Sequence, residues 1–173
     1  WTLFRRETVA VLISFAGLPG TGKSTIAQAL SVATGAVFLR IDEIETAIRV
    51  HDPERGVGPE GYEAAAAGAA SNPARGHSAI PDCVNPWPLT RQLFANAARR
   101  AGVPMMGVEL HCSDRDVHRR RVEGRKADVP GLELPTWRKV LARDYVPWED
   151  ADVRLDTARL TVPEAVAAIL THL

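Results

Sequence analysis

Apolar residues fall into five short runs along the chain, separated by stretches in which apolar positions recur every three or four residues. The runs are Val9–Ala16, Ala36–Ile41, His77–Asp82, Pro104–Leu110 and Asp152–Asp156, and their shortness and apolar density predict strands. The stretches between them predict helices over Lys23–Ala33, Asp42–Val50, Gly61–Ala70, Leu89–Ala101, Asp114–Lys126 and Thr136–Asp144. A last helix, Thr161–Leu173, opens on a Thr161-x-x-Glu164 capping box with Pro163 in its first turn. Alternation of this kind implies an α/β fold in three layers, a five-stranded, mostly parallel sheet with helices on both faces. Two stretches break the pattern. His51–Glu60 carries Pro53, Gly56, Gly58 and Pro59, and Ala127–Pro135 carries Pro130, Gly131 and Pro135. Connections of this composition serve as lids or binding loops, or else run passively over the surface.

Candidate chemistry gathers where the first run ends. Residues 17 to 24 read Gly17-Leu18-Pro19-Gly20-Thr21-Gly22-Lys23-Ser24, a complete G-x-x-x-x-G-K-[ST] loop, and Thr25 continues into the first helix. Between a strand and a helix, such a turn aims the backbone N–H groups of Gly20 to Lys23 at phosphate oxygens, and the helix N-terminus adds to the attraction. Lys23 is expected to reach the β- and γ-phosphates, and the Ser24 hydroxyl to ligate Mg²⁺. The motif points to a nucleoside triphosphate. No Asn/Thr-Lys-x-Asp base-reading motif is present, so adenine and guanine are not distinguished.

In parallel sheets of this kind ligands bind beyond the carboxyl ends of the strands. Asp42 ends the second run and Asp82 the third, which brings both carboxylates to the edge that carries the phosphate loop. Transfer of a phosphoryl group needs one carboxylate near Mg²⁺ and another to take or orient the proton of the attacking hydroxyl. Asp42 is assigned to the hydroxyl and Asp82 to the metal. Asp42 would serve equally as an N-cap for the helix that follows, and Asp82 as a turn former ahead of Asn85-Pro86. Glu43 and Glu45 need only the helix dipole to explain them. Arg121 and Arg125 lie four residues apart in a basic helix, hence on one face, and lead into the Pro/Gly-containing stretch. They read as lid arginines that stabilise transferred charge, or as a solvated basic face partnered by Asp114, Asp116 and Glu123. Arg119 and Arg120 fall on the exposed side.

Bulk composition sets limits on this reading. The 173 residues are enough for one domain with a substantial core, and a hydrophobic share of 46% beside a charged share of 24% is that of a globular protein. The 21 basic and 21 acidic residues cancel, which argues against a dedicated nucleic-acid surface. Cys83 and Cys112 lack metal-like spacing and read as buried free thiols of a reducing compartment. His111, Cys112 and His118 do not make up a zinc ligand set, and Trp87, Trp137 and Trp148 near prolines read as packing at loop junctions. No run approaches the ~20 apolar residues of a membrane span, and the opening Trp1–Arg6 has no signal-peptide pattern, so a cytoplasmic location is expected.

Several strings together resemble one family. They are Gly17-Leu18-Pro19-Gly20-Thr21-Gly22-Lys23-Ser24-Thr25, Leu39-Arg40-Ile41-Asp42, Asp82-x-x-Asn85-Pro86, Cys112-Ser113-Asp114, Arg119-Arg120-Arg121-Val122-Glu123-x-Arg125 and Leu155-Asp156-Thr157. Over Thr8 to Leu170 the chain resembles bacterial P-loop kinases of the kind labelled AAA-domain ATP-binding proteins, whose relatives include gluconate kinase, chloramphenicol phosphotransferase and the kinase half of polynucleotide kinase. The resemblance implies a P-loop NTPase fold with strand order 2-3-1-4-5, ATP and Mg²⁺ as cofactors, Asp42 as base, and Arg121 and Arg125 as lid residues. A single domain over 1–173 is expected, with 115–135 forming the lid and residues 45–76, which match no relative of named substrate, shaping a small-molecule acceptor site. A 5′-hydroxyl polynucleotide kinase and a regulatory nucleotide switch without an acceptor are the rival readings. The departure from the pattern is Pro81, one residue before Asp82, which predicts that the third strand ends early or bulges.

Overall fold

The computed structural model describes residues 9–54 and 58–173. The opening Trp1–Arg6 and Gly56 of the first irregular stretch, both part of the sequence reading, lie outside them. The five strands are β1 (Leu12–Ala16), β2 (Val37–Arg40), β3 (Ala79–Asp82), β4 (Met105–His111) and β5 (Val153–Asp156). The helices are α1 (Lys23–Thr34), α2 (Ile41–His51), α3 (Glu60–Ser71), α4 (Pro88–Ala101), α5 (Arg115–Gly124), α6 (Trp137–Leu141) and α7 (Val162–Leu170), with a short 3₁₀ turn at Pro73–Arg75. The strands form one sheet in the order β2-β3-β1-β4-β5, with every pair parallel, as expected. Among the described residues no helix is long and apolar enough to cross a membrane.

Register does the positioning. Arg40 lies opposite Asp82, Ala16 opposite Glu109, and His111 opposite Asp156, so all five strands deliver their last residues to one edge. Two apolar clusters sandwich the sheet. On one face α1 and α7 pack Ile26, Leu30 and Ile169 against Ile13, Phe15 and Val108. On the other, Ala65, Ala66 and Ala69 of α3 and Phe94 and Ala97 of α4 pack against Leu12 and Ala79. The alanine run of α3 brings that helix close to the sheet, because a methyl group adds little to the radius of a helix.

Several boundaries depart from the sequence reading for local reasons. The amide of Val11 is taken by Ser78 Oγ at 3.1 Å, and β1 starts one residue later, at Leu12. β2 runs into α2 without a loop: Arg40 is the cap residue and Asp42 sits in the first turn, so Asp42 is not an N-cap. α5 stops at Gly124, and Arg125 turns extended at φ −67° and ψ 137°, so Arg121 and Arg125 do not share a helix face.

Pro81 has a different effect from either expected one. The Ala79 amide bonds the Val11 carbonyl at 3.1 Å, and alternation along the strand aims position 81 at that same neighbour. Proline has no N–H to give. β3 therefore pairs with β1 only at Leu12↔Ala79, yet it keeps its register with β2 as far as Asp82. The seam closes again through side chains: Asn85 Nδ2 donates to Ser14 Oγ at 3.0 Å and to the Phe15 carbonyl at 3.4 Å.

β4 anchors the segment that follows α6. Glu109, 2% exposed, accepts from Tyr145 Oη (2.9 Å), the Trp148 amide (2.6 Å) and Arg154 Nε (2.8 Å). Burial works against its charge, but these donors outweigh it and hold the carboxyl below the usual range. Arg91 of α4 packs between the rings of Tyr145 and Trp148 and donates to the Asn85, Val146 and Pro147 carbonyls. The Trp148 ring lies against Gly107, where a Cβ would come within 2.6 Å of it. Gly107→Ala must therefore displace Trp148, and urea unfolding is expected to show a loss of about 1–3 kcal/mol, the usual cost of overpacking.

Candidate functional site

The phosphate loop leaves β1 at Ala16 and enters α1 at Lys23. Gly20 has φ +86°, and a Cβ there would lie 2.5 Å from Val122 Cγ2, so both conformation and space require glycine. α5 is thus in direct contact with the loop. His118, buried on the inner face of that helix, meets the Pro19 carbonyl through Nε2 at 2.8 Å and stands edge-on to Trp137 at 5.1 Å. The sequence reading left His118 without a role; its place in the structure is to brace the loop. Its spacing alone carried no signal of this.

Lys23 is 8% exposed, and its Nζ donates to the Leu18 carbonyl at 2.9 Å, folding back onto its own loop. Burial lowers its pKa, and the nearby charges of Asp82 and Asp42 oppose that shift. Asp82, at the end of β3, is 3% exposed and lies near the Ser24 hydroxyl. Burial pushes its carboxyl up, against the pull of Lys23 and Ser24. The structure therefore brings Lys23, Ser24 and Asp82 together, as the strand-end argument anticipated. A hydroxyl and a carboxylate form a hard oxygen pair suited to Mg²⁺. Among the described residues no group of three His, Cys, Asp or Glu side chains could hold a metal unaided. The fit is that of an ion that completes its shell with phosphate and water.

Two cavities flank this centre. One, of about 590 Å³, is lined by Gly20, Lys23, Ser24 and Thr25 on the loop side and by Arg121, Arg125 and Thr157 opposite. Arg121 is tied to Thr157, donating from Nη1 to Oγ1 and from Nη2 to the carbonyl, each at 2.9 Å. Thr157 in turn follows Asp156, which accepts from Ser113 N (3.0 Å), Ser113 Oγ (2.5 Å) and Ala158 N (3.1 Å). Burial would raise the Asp156 carboxyl, but these bonds hold it at about 2. Two of the strings that carried the resemblance, Cys112-Ser113-Asp114 and Leu155-Asp156-Thr157, are thus one hydrogen-bonded corner. Arg120, read as pointing away, also lines this cavity from an exposed position.

The second cavity, of about 870 Å³, lies on the far side of Asp42. α2 contributes Ile41, Asp42 and Glu45, α3 contributes Tyr62 and Glu63, and α4 contributes Leu93 and Asn96. Only part of this wall comes from the stretch 45–76. The rest, including Trp87, Arg143 and Asp144, was not legible as site residues. Glu45, assigned to the helix dipole alone, lines the cavity. Cys83 is buried as expected and its thiol is pushed up, so it stays protonated, whereas Cys112 is partly exposed.

Asp42 joins the two spaces. It lines the larger cavity, while its Oδ2 is 4.0 Å from Arg125 Nη2 and 3.9 Å from Arg40 Nη2. Arg40, 7% exposed, makes a two-pronged ion pair with Asp128 at 2.6 and 2.9 Å. That bond raises the guanidinium and lowers the carboxylate. It binds the segment after α5 to the start of α2.

Known proteins share this arrangement of strands and helices. An unliganded sugar kinase from Janibacter sp. HTCC2649 is 19% identical, with 94% of this chain and 93% of that one covered and a TM-score of 0.68. An APS kinase from Mycobacterium tuberculosis, in complex with AMPPNP and APS, is 20% identical over 94% and 96% of the chains, with a TM-score of 0.67. A gluconokinase from Sinorhizobium meliloti 1021 is 20% identical over 97% and 95%, with a TM-score of 0.61. At such identities the likeness is one of fold, that of the P-loop kinases. No curated protein matches the sequence. The AAA domain, in contrast, matches residues 12–143, most of the chain from β1 to beyond α6. The chain belongs to the AAA-domain family.

Proposed function

We propose that the protein is a phosphotransferase that moves the γ-phosphoryl group of Mg·ATP to a hydroxyl of a small molecule. The observation that carries this reading is the position of Asp42, on the wall of the larger cavity and 4.0 Å from an arginine of the phosphate-side cavity. A nucleotide switch needs one compartment; a carboxylate between two suits transfer from one to the other. Solved neighbours named as sugar kinase, gluconokinase and APS kinase share the fold and support the same class.

In this reading the loop amides and Lys23 hold the triphosphate, Lys23 exchanging its Leu18 carbonyl for phosphate oxygen. Ser24 and Asp82 would hold Mg²⁺, which supplies charge neutralisation at the β- and γ-phosphates when bound. Asp42 accepts the proton of the acceptor hydroxyl. The hydroxyl oxygen forms its bond to the γ-phosphorus, the bond from that phosphorus to the β–γ bridging oxygen breaks, and ADP leaves. Arg125 stabilises the transferred group from the side opposite Lys23. Arg121 is held by Thr157 on the wall of the same cavity and reaches that group by exchanging those bonds. A cytoplasmic site of action belongs to the same proposal, since ATP is supplied there.

Replacing Asp42 by Asn should lower kcat by roughly 100- to 10,000-fold, the usual worth of a positioned general base. The assay is transfer of labelled γ-phosphate to the acceptor that the wild type turns over best among sugars, nucleosides and amino alcohols; transfer at the wild-type rate removes Asp42 from the base role. Ser24→Ala should shrink the gain in ATP affinity that Mg²⁺ gives over EDTA in titration calorimetry. If that gain is unchanged in the variant, Ser24 does not hold the metal.

A further inference from the structure

The larger cavity has a chemical character of its own. Ile41, Tyr62, Val84, Pro86, Trp87 and Leu93 give it apolar and aromatic walls, fit for the body of an organic molecule. Its ionisable lining is one-sided. Among the described residues Asp42, Glu45, Glu63 and Asp144 face a single cation, Arg143, and neither lysine nor histidine contributes. Arg143 is itself exposed.

The carboxylates differ in what already occupies them. Asp144 accepts from Trp87 Nε1 at 3.1 Å, and Asp42 has Arg40 and Arg125 at the edge of reach. Among the described residues Glu45 and Glu63 have no side-chain hydrogen bond and no ion pair. Glu45 nevertheless sits in a made place. It is half-buried where α2 meets α3, and a Cβ on Gly61 would come within 2.5 Å of its Cγ, so that helix contact is open only because residue 61 lacks a side chain. Burial, then the charge of Asp42, push the Glu45 carboxyl up, against the weaker pull of Arg49 and Arg143. A cation delivered by a ligand would offset both effects.

Resting on the phosphotransferase reading, we infer that the acceptor is an amino alcohol with an apolar or aryl body, its hydroxyl at Asp42 and its protonated amine at Glu45. Positions 42 and 45 are neighbours on one face of α2, with Cβ atoms about 5–6 Å apart. That separation spans an amine and a hydroxyl two or three carbons apart. Glu63 and the rings of Tyr62 and Trp87 complete an electronegative surround for the ammonium. A hydroxy acid of the same size would carry its carboxylate into a ring of carboxylates and be rejected.

The test compares acceptors that share a skeleton and differ in charge. One set is phenylalaninol, 3-phenyl-1-propanol and 3-phenyllactate; the other is glucosamine, glucose and gluconate. With labelled γ-phosphate of ATP, kcat/KM for the cationic member should exceed that for the anionic one by about tenfold or more in the set that is turned over. Glu45→Gln should raise KM for the amine about tenfold, leave kcat within about twofold, and leave KM for the neutral member within about twofold. Glu63→Gln, on the exposed side of α3, should show the same selectivity at smaller size. An anionic or neutral member that outpaces the amine overturns this inference and leaves the phosphotransferase reading standing. So does a Glu45→Gln effect equal on amine and neutral acceptor. Transfer to neither set by a protein that binds Mg·ATP overturns both.

Discussion

An ammonium group that is 8% exposed has to be compensated, and the arrangement at Lys23 follows from that constraint. One bond to the Leu18 carbonyl and the nearby carboxylate of Asp82 keep the side chain within the loop. The Leu18 carbonyl is local to the loop, but Asp82 is at hand only because β1 and β3 end on the same edge of a parallel sheet. Asp82 faces the reciprocal problem, since its own burial disfavours its charge unless Lys23 and Ser24 stay close. Lys23 and Ser24, both on the loop between β1 and α1, thus both offset the burial of Asp82.

The same mutual dependence explains why much of the centre could be read from the chain and the rest could not. A phosphate loop is local: the residues that bend it, the lysine and the hydroxyl all lie within eight positions, Gly17 to Ser24. Asp42 and Asp82 are not local, yet strand alternation with parallel pairing is enough to send both to one edge. Each strand and helix was placed to within a few residues, because apolar periodicity and the Thr161–Glu164 box are properties of short windows. The misses are of another kind. Trp87 comes to the cavity as the cap residue of α4, and Arg143 and Asp144 because Glu109 and Arg91 clamp the adjoining segment 145–148 onto β4 and α4. No pattern within a short window encodes that clamp. Glu45 and His118 looked like ordinary helix residues, and only the glycine at 61 and the carbonyl of Pro19 give them meaning.

Pro81 shows the limit of a rule applied without its geometry. Proline is disfavoured in an interior strand, and on the β1 side the cost is visible as a pairing reduced to a single register. On the β2 side nothing is lost, because successive residues of a strand in a parallel sheet address alternate neighbours. Asn85, fully buried at φ +50°, bridges back to Ser14 and Phe15 and repairs the seam from the next turn.

The fork between Arg40 and Asp128 borders the phosphate-side cavity, one end at the start of α2 and the other on the segment that follows α5. The guanidinium is almost wholly enclosed, while the carboxylate is more than half exposed. Withdrawing Asp128 would leave the enclosed guanidinium with Asp42, 3.9 Å away, as its remaining carboxylate partner. That segment therefore opens most cheaply by substitution, with a second anion taking the guanidinium as the first departs. Polyphosphate is one such anion and Asp42 is another, already 3.9 Å away. Any movement of this segment away from α2 would accordingly be a swap of counterions at a fixed cationic post.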